Sequence, residues 1–310
     1  MLPVVGVPMI ERVVAGLGAH GVTEAVLSLG YRPDAFLNAY PDGVCAGVIL
    51  HYAVEPEPLD TAGAVRFAAT SAGIDDTFIV VNGDVLTDLD VTALWNFHKS
   101  HGAEGTIALT PVDDPSRYGV VPIDDDGRVV AFVEKPAPGT APTNWINAGT
   151  YVLEPSVLDR IDSRRKVSIE RETFPDMVSA GCLYALHSDA YWIDAGTPET
   201  YLRAQLDLID GTRSSETAVQ VSDSIDTSAT VANSVLGADV VIGNGAVIRN
   251  SVVMDGVTIG PGVHISDSIV AAGARIGPDS SIRDISVVGA GVELPAHSEL
   301  IGSRIPESDD

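Results

Sequence analysis

Cysteine is nearly absent from this chain of 310 residues: Cys45 and Cys182 are the only two. That is too few for a disulfide framework and is the usage of a reducing compartment. Basic residues are scarce as well. Lys and Arg number 18 against 43 Asp and Glu, a net charge of −25. Such a charge repels a phosphate backbone and argues against nucleic acid as a partner. No apolar run is long enough to span a membrane, and no basic n-region with an apolar core opens the sequence, so no membrane partner is expected. A soluble cytoplasmic protein is the expectation. Both cysteines read as small core or surface thiols, and the acidity as a solvated surface.

What the chain does have is periodicity. From residue 225 to 292 it repeats every 17 positions, with copies opening at Ile225, Ile242, Ile259 and Ile276. Aliphatics fall six apart within and beyond the copies: Leu236, Ile242, Ile248 and Met254, then Val253, Ile259 and Ile265, then Val270 through Leu300. A period of six suits neither a helix nor a two-faced strand. It suits a three-sided coil whose short sides each send one aliphatic inward. The small residue after the aliphatic, at Gly237, Gly243, Gly260, Gly277 and Gly289, allows a corner where a Cβ would clash. The predicted element is a left-handed β-helix over 225–305, with Ile242, Ile259 and Ile276 stacked in one inward column. A linker over 212–224 precedes it. Coils of this class stack, cap and oligomerise as often as they catalyse, so the chemistry is sought upstream.

Residues 1–211 alternate helical and strand-like stretches. Met9–Leu17, Thr61–Ala72, Leu89–His98 and Glu199–Leu208 read as helices, with Asp88 or Asp90 and Thr197 as caps. Ala25–Leu29, Val48–Val54, Phe78–Val81, Val129–Val133 and Thr150–Leu153 read as strands. The alternation predicts a mainly parallel, Rossmann-like α/β sheet covered on both faces, with ligands beyond the C-terminal strand ends.

Four segments follow strands in the way a site requires. Asn82-Gly83-Asp84 could present a carboxylate to a hard cation, or be a plain turn. Trp192-Ile193-Asp194 could do the same, or only lead into the helix that Thr197 caps. Glu134-Lys135-Pro136 taken alone reads as a surface ion pair, and Asn147-Ala148-Gly149 opens a strand. His98 and His101 read as a solvated helix end rather than a metal pair. His264 and His297 on the coil read as surface residues, which argues against acyl transfer.

In order, Leu59–Gly63, Asn82–Asp84, Tyr118–Val120, Glu134–Pro136, Asn147–Gly149, Ser168–Glu172 and Trp192–Gly196 resemble the motifs of the sugar-1-phosphate nucleotidyltransferases. With the appended coil the chain is most similar to the mannose-1-phosphate guanylyltransferase type. The resemblance implies joining a nucleoside triphosphate to a sugar 1-phosphate, giving a nucleotide sugar and pyrophosphate. Asp84 and Asp194 would hold Mg²⁺, and Lys135 would meet the sugar phosphate as a point charge. Glu134, Asn147, Gly149 and Gly119 would face the sugar. Asp60, Thr61 and Gly63 would lie against base or ribose, and Gly83 accompanies Asp84. Many relatives carry glycine at the position of Asp60. The coil would join copies of the chain.

One departure stands out. The family's opening strand and G-x-G-T-R…P-K loop, which cradle the triphosphate, occur nowhere in the sequence. The break favours Met1 as an internal methionine of a longer enzyme over an inactive remnant or a non-catalytic nucleotide-sugar-binding regulator. The strands near Val26 and Phe78 are then expected to face an empty slot. Base and sugar stay open: guanine with mannose fits the layout, and thymidylyl, adenylyl or uridylyl transfer to glucose 1-phosphate are the alternatives.

Overall fold

The computed structural model describes residues 2–30, 33–214, 216, 218 and 224–307. Of the predicted linker, residues 215, 217 and 219–223 lie outside the described residues. In chain order the elements are β1 (Pro3–Val4), β2 (Val7–Pro8), α1 (Met9–Ala19), β3 (Glu24–Leu29), α2 (Asp34–Ala39), β4 (Val44–Cys45), β5 (Val48–Val54) and α3 (Asp60–Ala72). Then come β6 (Phe78–Val81), β7 (Val85–Thr87), α4 (Val91–His101), β8 (Gly105–Pro111), β9 (Gly119–Val120), β10 (Val133–Glu134), β11 (Trp145–Leu153), α5 (Phe174–Ala180) and β12 (Leu183–His187). A short strand at Trp192–Asp194 and α6 (Pro198–Ile209) precede the coil. The contacts divide the chain into two units, Met9–Trp192 and Leu2–Pro8 with Ile193–Asp310.

The first unit is α/β. One sheet has the order β3-β5-β4, with β3 and β5 parallel. The other runs β10-β9-β11-β8-β12, and β6 also pairs with β11. This larger sheet is mixed, where helix–strand alternation predicted mostly parallel pairing. β6 and β8, which are joined through α4, do share a direction, since both run against β11, and β12 lies parallel to β8. β11 arrives from a long loop excursion rather than a helical crossover, and it inserts between them. Only crossovers enforce parallel pairing. On their other edges β3 and β6 have no strand partner among the described residues, as expected for the strands near Val26 and Phe78.

Alternation along the strands covers both faces. Ile107, Leu109, Tyr151 and Leu153 pack with Phe174 and Met177 on one side. Ala108 and Val152 pack with Leu94 on the other. Asp90 caps α4, its carboxylate accepting the Ala93 N–H at 2.9 Å. The strand predicted at Val129–Val133 shrinks to β10. Upstream of it Val129 instead donates its N–H to the Leu183 carbonyl and bridges Ile123.

In the second unit Thr197 caps α6 within a capping box with Thr200. The β1–β2 hairpin turns through Val5 and Gly6, both at positive φ, the geometry of a tight two-residue turn. Gln205 of α6 holds its first strand and its turn, accepting the Val5 N–H at 2.7 Å and donating to the Pro3 carbonyl at 2.9 Å.

The coil has three sheets of parallel short strands, one per side. Ile242, Ile259 and Ile276 are in register and buried, so the predicted column stands. At the side's end Val253, not Met254, turns inward beside Leu236 and Val270, because the one residue lost per turn is lost at that corner. A full 18 separates Val270 from Val288, where Asp284 and Ile285 both take positive φ. Gly243 and Gly277 are required by the neighbouring coil: a Cβ on either would lie 2.6 or 2.4 Å from the backbone stacked above it. A column of buried serines lines one corner, with Ser251 N–H donating to Ser234 Oγ at 3.1 Å and Ser268 N–H to Ser251 Oγ at 3.2 Å.

Candidate active site

One edge of β11 belongs to β8 along its length. The opposite edge is shared: β6 pairs with Thr150–Leu153, and β9 with Ile146. Between them, at Asn147–Gly149, the register with β8 shifts and the edge is notched. Most of the residues singled out from the sequence gather around this notch.

Gly149 has φ +74, and a Cβ there would lie 2.7 Å from Asn82 Nδ2. Its carbonyl accepts the Asn82 N–H at 2.9 Å, which ties the Asn82–Asp84 turn to the notch. Gly83 and Asp84 are exposed in that turn. Asn147 is largely committed to the protein: its Oδ1 accepts the Gly149 N–H and its Nδ2 donates to the Tyr151 hydroxyl, both at 2.9 Å. One amide hydrogen remains for a ligand. Tyr151 is buried, and burial raises its pKa.

β10 sets Glu134 opposite Gly119. A Cβ at Gly119 would fall 2.6 Å from the Phe132 ring and 3.1 Å from Glu134 Oε2, so glycine makes room for the carboxylate. Burial, and then the charge of Glu170, lift the Glu134 carboxyl above its ordinary pKa, with Lys135 and Arg171 opposing. Lys135 has φ +47, a strained conformation for a residue with a side chain and of a kind concentrated at functional sites. Its ammonium is exposed and 3.8 Å from Glu134 Oε1.

Asp60 also has positive φ, at +65, the conformation glycine takes freely. The predicted Leu59–Gly63 turn is the first turn of α3. The N–H groups of Ala62 and Gly63 both go to the Val167 carbonyl, at 2.9 and 3.2 Å, and Gly63 is buried against Leu59. Thr61 donates to Glu170 at 2.7 Å. Asp194 belongs to the second unit, where its Oδ1 accepts the Gly196 N–H at 2.8 Å.

Among the described residues no group of three or more His, Cys, Asp or Glu could hold a metal ion. Mg²⁺ does not require one, since it takes one or two carboxylates and fills its shell with phosphate oxygens and water. Asp84 and Asp194 each carry carboxylate oxygens of the hard kind that ion takes. Among the described residues no helix is long and apolar enough to cross a membrane.

Sequence reasoning missed Glu170 and Tyr151 as neighbours of Glu134. The Ser168–Glu172 motif was a signal for the first. His98 is corrected outright: it is 0% exposed, with Nδ1 at 2.9 Å from Thr106 Oγ1 and Nε2 at 3.1 Å from Glu154. It faces β8 from the inner side of α4, whereas His101 is exposed and stacked on Phe97. His264 and His297 are exposed, as expected.

The nucleotidyl transferase family matches residues 1–211, and the EIF2B subunit epsilon LbH domain matches residues 199–300. Mannose-1-phosphate guanylyltransferase of Mycobacterium tuberculosis is 40% identical over 68% of this chain and 58% of its own length. Mannose-1-phosphate guanylyltransferase 1 of Arabidopsis thaliana is 39% identical over 77% of this chain and 68% of its own. The crystal structure of HddC from Yersinia pseudotuberculosis complexed with GMP-PN is 32% identical, with a TM-score of 0.57, over 66% of this chain and 87% of that one. The chain thus spans little more than half the length of several curated relatives, 58% of the first and 54% of that from Aspergillus fumigatus.

Proposed function

The chain belongs to the nucleotidyl transferase family, and from that premise we propose that it transfers a nucleotidyl group from a nucleoside triphosphate to a sugar 1-phosphate. The relatives' names favour guanylyl transfer to mannose 1-phosphate, and HddC's complex with GMP-PN favours a guanine nucleotide. An oxygen of the sugar phosphate attacks the α-phosphorus, the α–β bridge breaks, and pyrophosphate leaves with the electron pair.

The observation that carries the reading is the pairing of Glu134 with Lys135 beside the notch of β11. The half-buried carboxylate accepts sugar hydroxyls, and the strained Lys135 backbone directs an ammonium at the sugar phosphate. Asn147 spends its remaining amide hydrogen on the sugar, and Gly119 and Gly149, whose missing side chains make room for Glu134 and Asn82, face it as well. Asp60, Thr61 and Gly63 at the start of α3 serve the nucleotide, and Gly83 lets the Asp84 turn come close. Asp84 and Asp194 are proposed as ligands of Mg²⁺, which when bound screens and orients the two anions. We place the work in the cytoplasm, with residues 1–211 as the catalytic domain, 212–224 as linker and the coil of 225–305 joining copies of the chain.

Calorimetry tests the sugar half directly. Mannose 1-phosphate should bind measurably with Mg²⁺, and Asp194→Ala should abolish the dependence on metal. Undiminished binding that still depends on Mg²⁺ in that variant would sink the role of Asp194, and no binding by the parent protein would sink the reading.

A further inference from the structure

Asparagine is followed by glycine at two places in the chain, Asn82-Gly83 and Asn244-Gly245. Glycine carries no side chain to shield its backbone nitrogen, and that nitrogen can attack the amide carbon of the asparagine before it. Both pairs are exposed and both lie at turns. They differ in what holds the attacking nitrogen. The Gly245 N–H donates to Ser228 Oγ at 2.9 Å. Its turn is also stacked in the coil, where the Asn244 carbonyl accepts the Gly262 N–H at 3.0 Å. Among the described residues nothing accepts the Gly83 N–H. A Cβ built on Gly83 would meet no atom within 4 Å, so the approach to its nitrogen is open.

Asn82 is anchored through its backbone and unbonded in its side chain. Its N–H donates to the Gly149 carbonyl at 2.9 Å, and its carbonyl accepts the Val85 N–H at 3.4 Å. The side-chain amide fills the space a Gly149 Cβ would take, with Nδ2 at 2.7 Å and Cγ at 2.9 Å from that position. It makes no hydrogen bond among the described residues, so no polar contact resists its rotation toward Gly83.

We propose that Asn82 is a self-modification site, where the folded protein converts its own Asn82-Gly83 pair to aspartate and isoaspartate. The Gly83 nitrogen bonds to Asn82 Cγ, the Cγ–Nδ2 bond breaks, and the Gly83 proton ends on the departing ammonia. The cyclic imide then takes up water, the only co-reactant, and nothing is oxidised or reduced. Opening at Cγ gives aspartate. Opening at the backbone carbonyl gives isoaspartate, in which the chain runs through Cβ. The carbonyl that accepts the Val85 N–H then becomes a free carboxylate, and an extra carbon separates the Gly149 anchor from Asp84. Conversion unties the Asp84 turn from the β11 notch, so the candidate site ages before the rest of the fold.

The test incubates the full chain at pH 8 and follows both pairs by peptide mass and by enzymatic methylation of isoaspartate. In the urea-unfolded chain the two should convert at similar rates. In the folded protein Asn82 should convert about 10-fold faster than Asn244, the factor a hydrogen bond on the attacking nitrogen supplies. Ser228→Ala frees the Gly245 N–H and should speed Asn244 by about 5-fold or more, leaving Asn82 as it was. Gly83→Ala, for which the fold has room, should slow Asn82. Hydrogen exchange at Val85 should quicken as isoaspartate accumulates. Equal conversion of the two pairs in the folded protein overturns the proposal. So does an Asn82 that stays intact when folded and converts in urea, or a converted protein whose Val85 exchange is unchanged.

Discussion

His98 offers a measurement of how firmly α4 is seated. Its ring is 0% exposed between Thr106 and Glu154, and Lys99 reaches the same Glu154 oxygen at 2.9 Å. Burial holds the imidazole below its ordinary pKa; the Glu154 contact opposes this, and the charge of Lys99 adds to it. The folded protein therefore carries His98 neutral at a pH where the unfolded chain, titrating near 6.5, takes up a proton. The unfolded state binds more protons in that window, so stability rises with pH through it and is lost as pH falls below about 6.5. The slope for one proton is at most about 1.4 kcal/mol per pH unit, so moving from pH 7.5 to 5.5 should remove roughly 1 kcal/mol. Carboxylates add their own loss only at lower pH: donors from Lys99, Thr77 and His98 hold Glu154 low against its burial, and the Arg160 hydrogen bonds hold Glu104 at about 2. Urea unfolding of the parent and of His98→Gln at pH 5.5, 6.5 and 7.5 isolates the residue, whatever the variant's absolute stability. Parallel pH lines for the two proteins would refute the reasoning.

Two further outcomes follow from packing. Ile259→Ala empties a site 1% exposed between Ile242 and Ile276 and should cost about 2–5 kcal/mol. Hydrogen exchange across residues 242–276 should accelerate, and an unchanged pattern would deny the column its role. Gly149→Ala puts a Cβ 2.7 Å from Asn82 at φ +74 and should destabilise by about 1–3 kcal/mol in thermal melts. Gly16→Ala, in the middle of α1 with open space around it, should instead stabilise by roughly 0.5–1 kcal/mol. Equal effects at the two glycines would contradict this account.

The coil was the most legible part because its period belongs to no other architecture, and each turn repeats the evidence. Even there, the change from Met254 to Val253 depended on which corner loses its residue. The serines at 234, 251 and 268 were visible at the same period but carried no meaning without the backbone they satisfy. Local signals such as the Asp90 and Thr197 caps read correctly, since their partners lie three residues away. The insertion of β11 between β6 and β8 did not, because strand pairing is a long-range choice that local alternation leaves undetermined. The candidate site divides in the same way. Glu134 and Asn147 stand in recognisable motifs, whereas the convergence of Glu134, Tyr151 and Glu170 needs three segments folded together. His98 misled because a histidine near a helix end looks solvated until the strand beneath it is known.

The return to 18 residues at Asp284 and Ile285 leaves the inward column undisturbed, with Val270 above Val288 and Ile276 above Leu294. The extra residue is absorbed at a corner, where the backbone already turns. Insertions and deletions in this coil are therefore tolerated by position rather than by number. A single codon gained at a corner vanishes into the bend, while the same codon gained within a side reverses every side chain after it up to the next corner. Drift in length along this lineage should be concentrated at the three corners, which makes them the places to splice whole turns in or out.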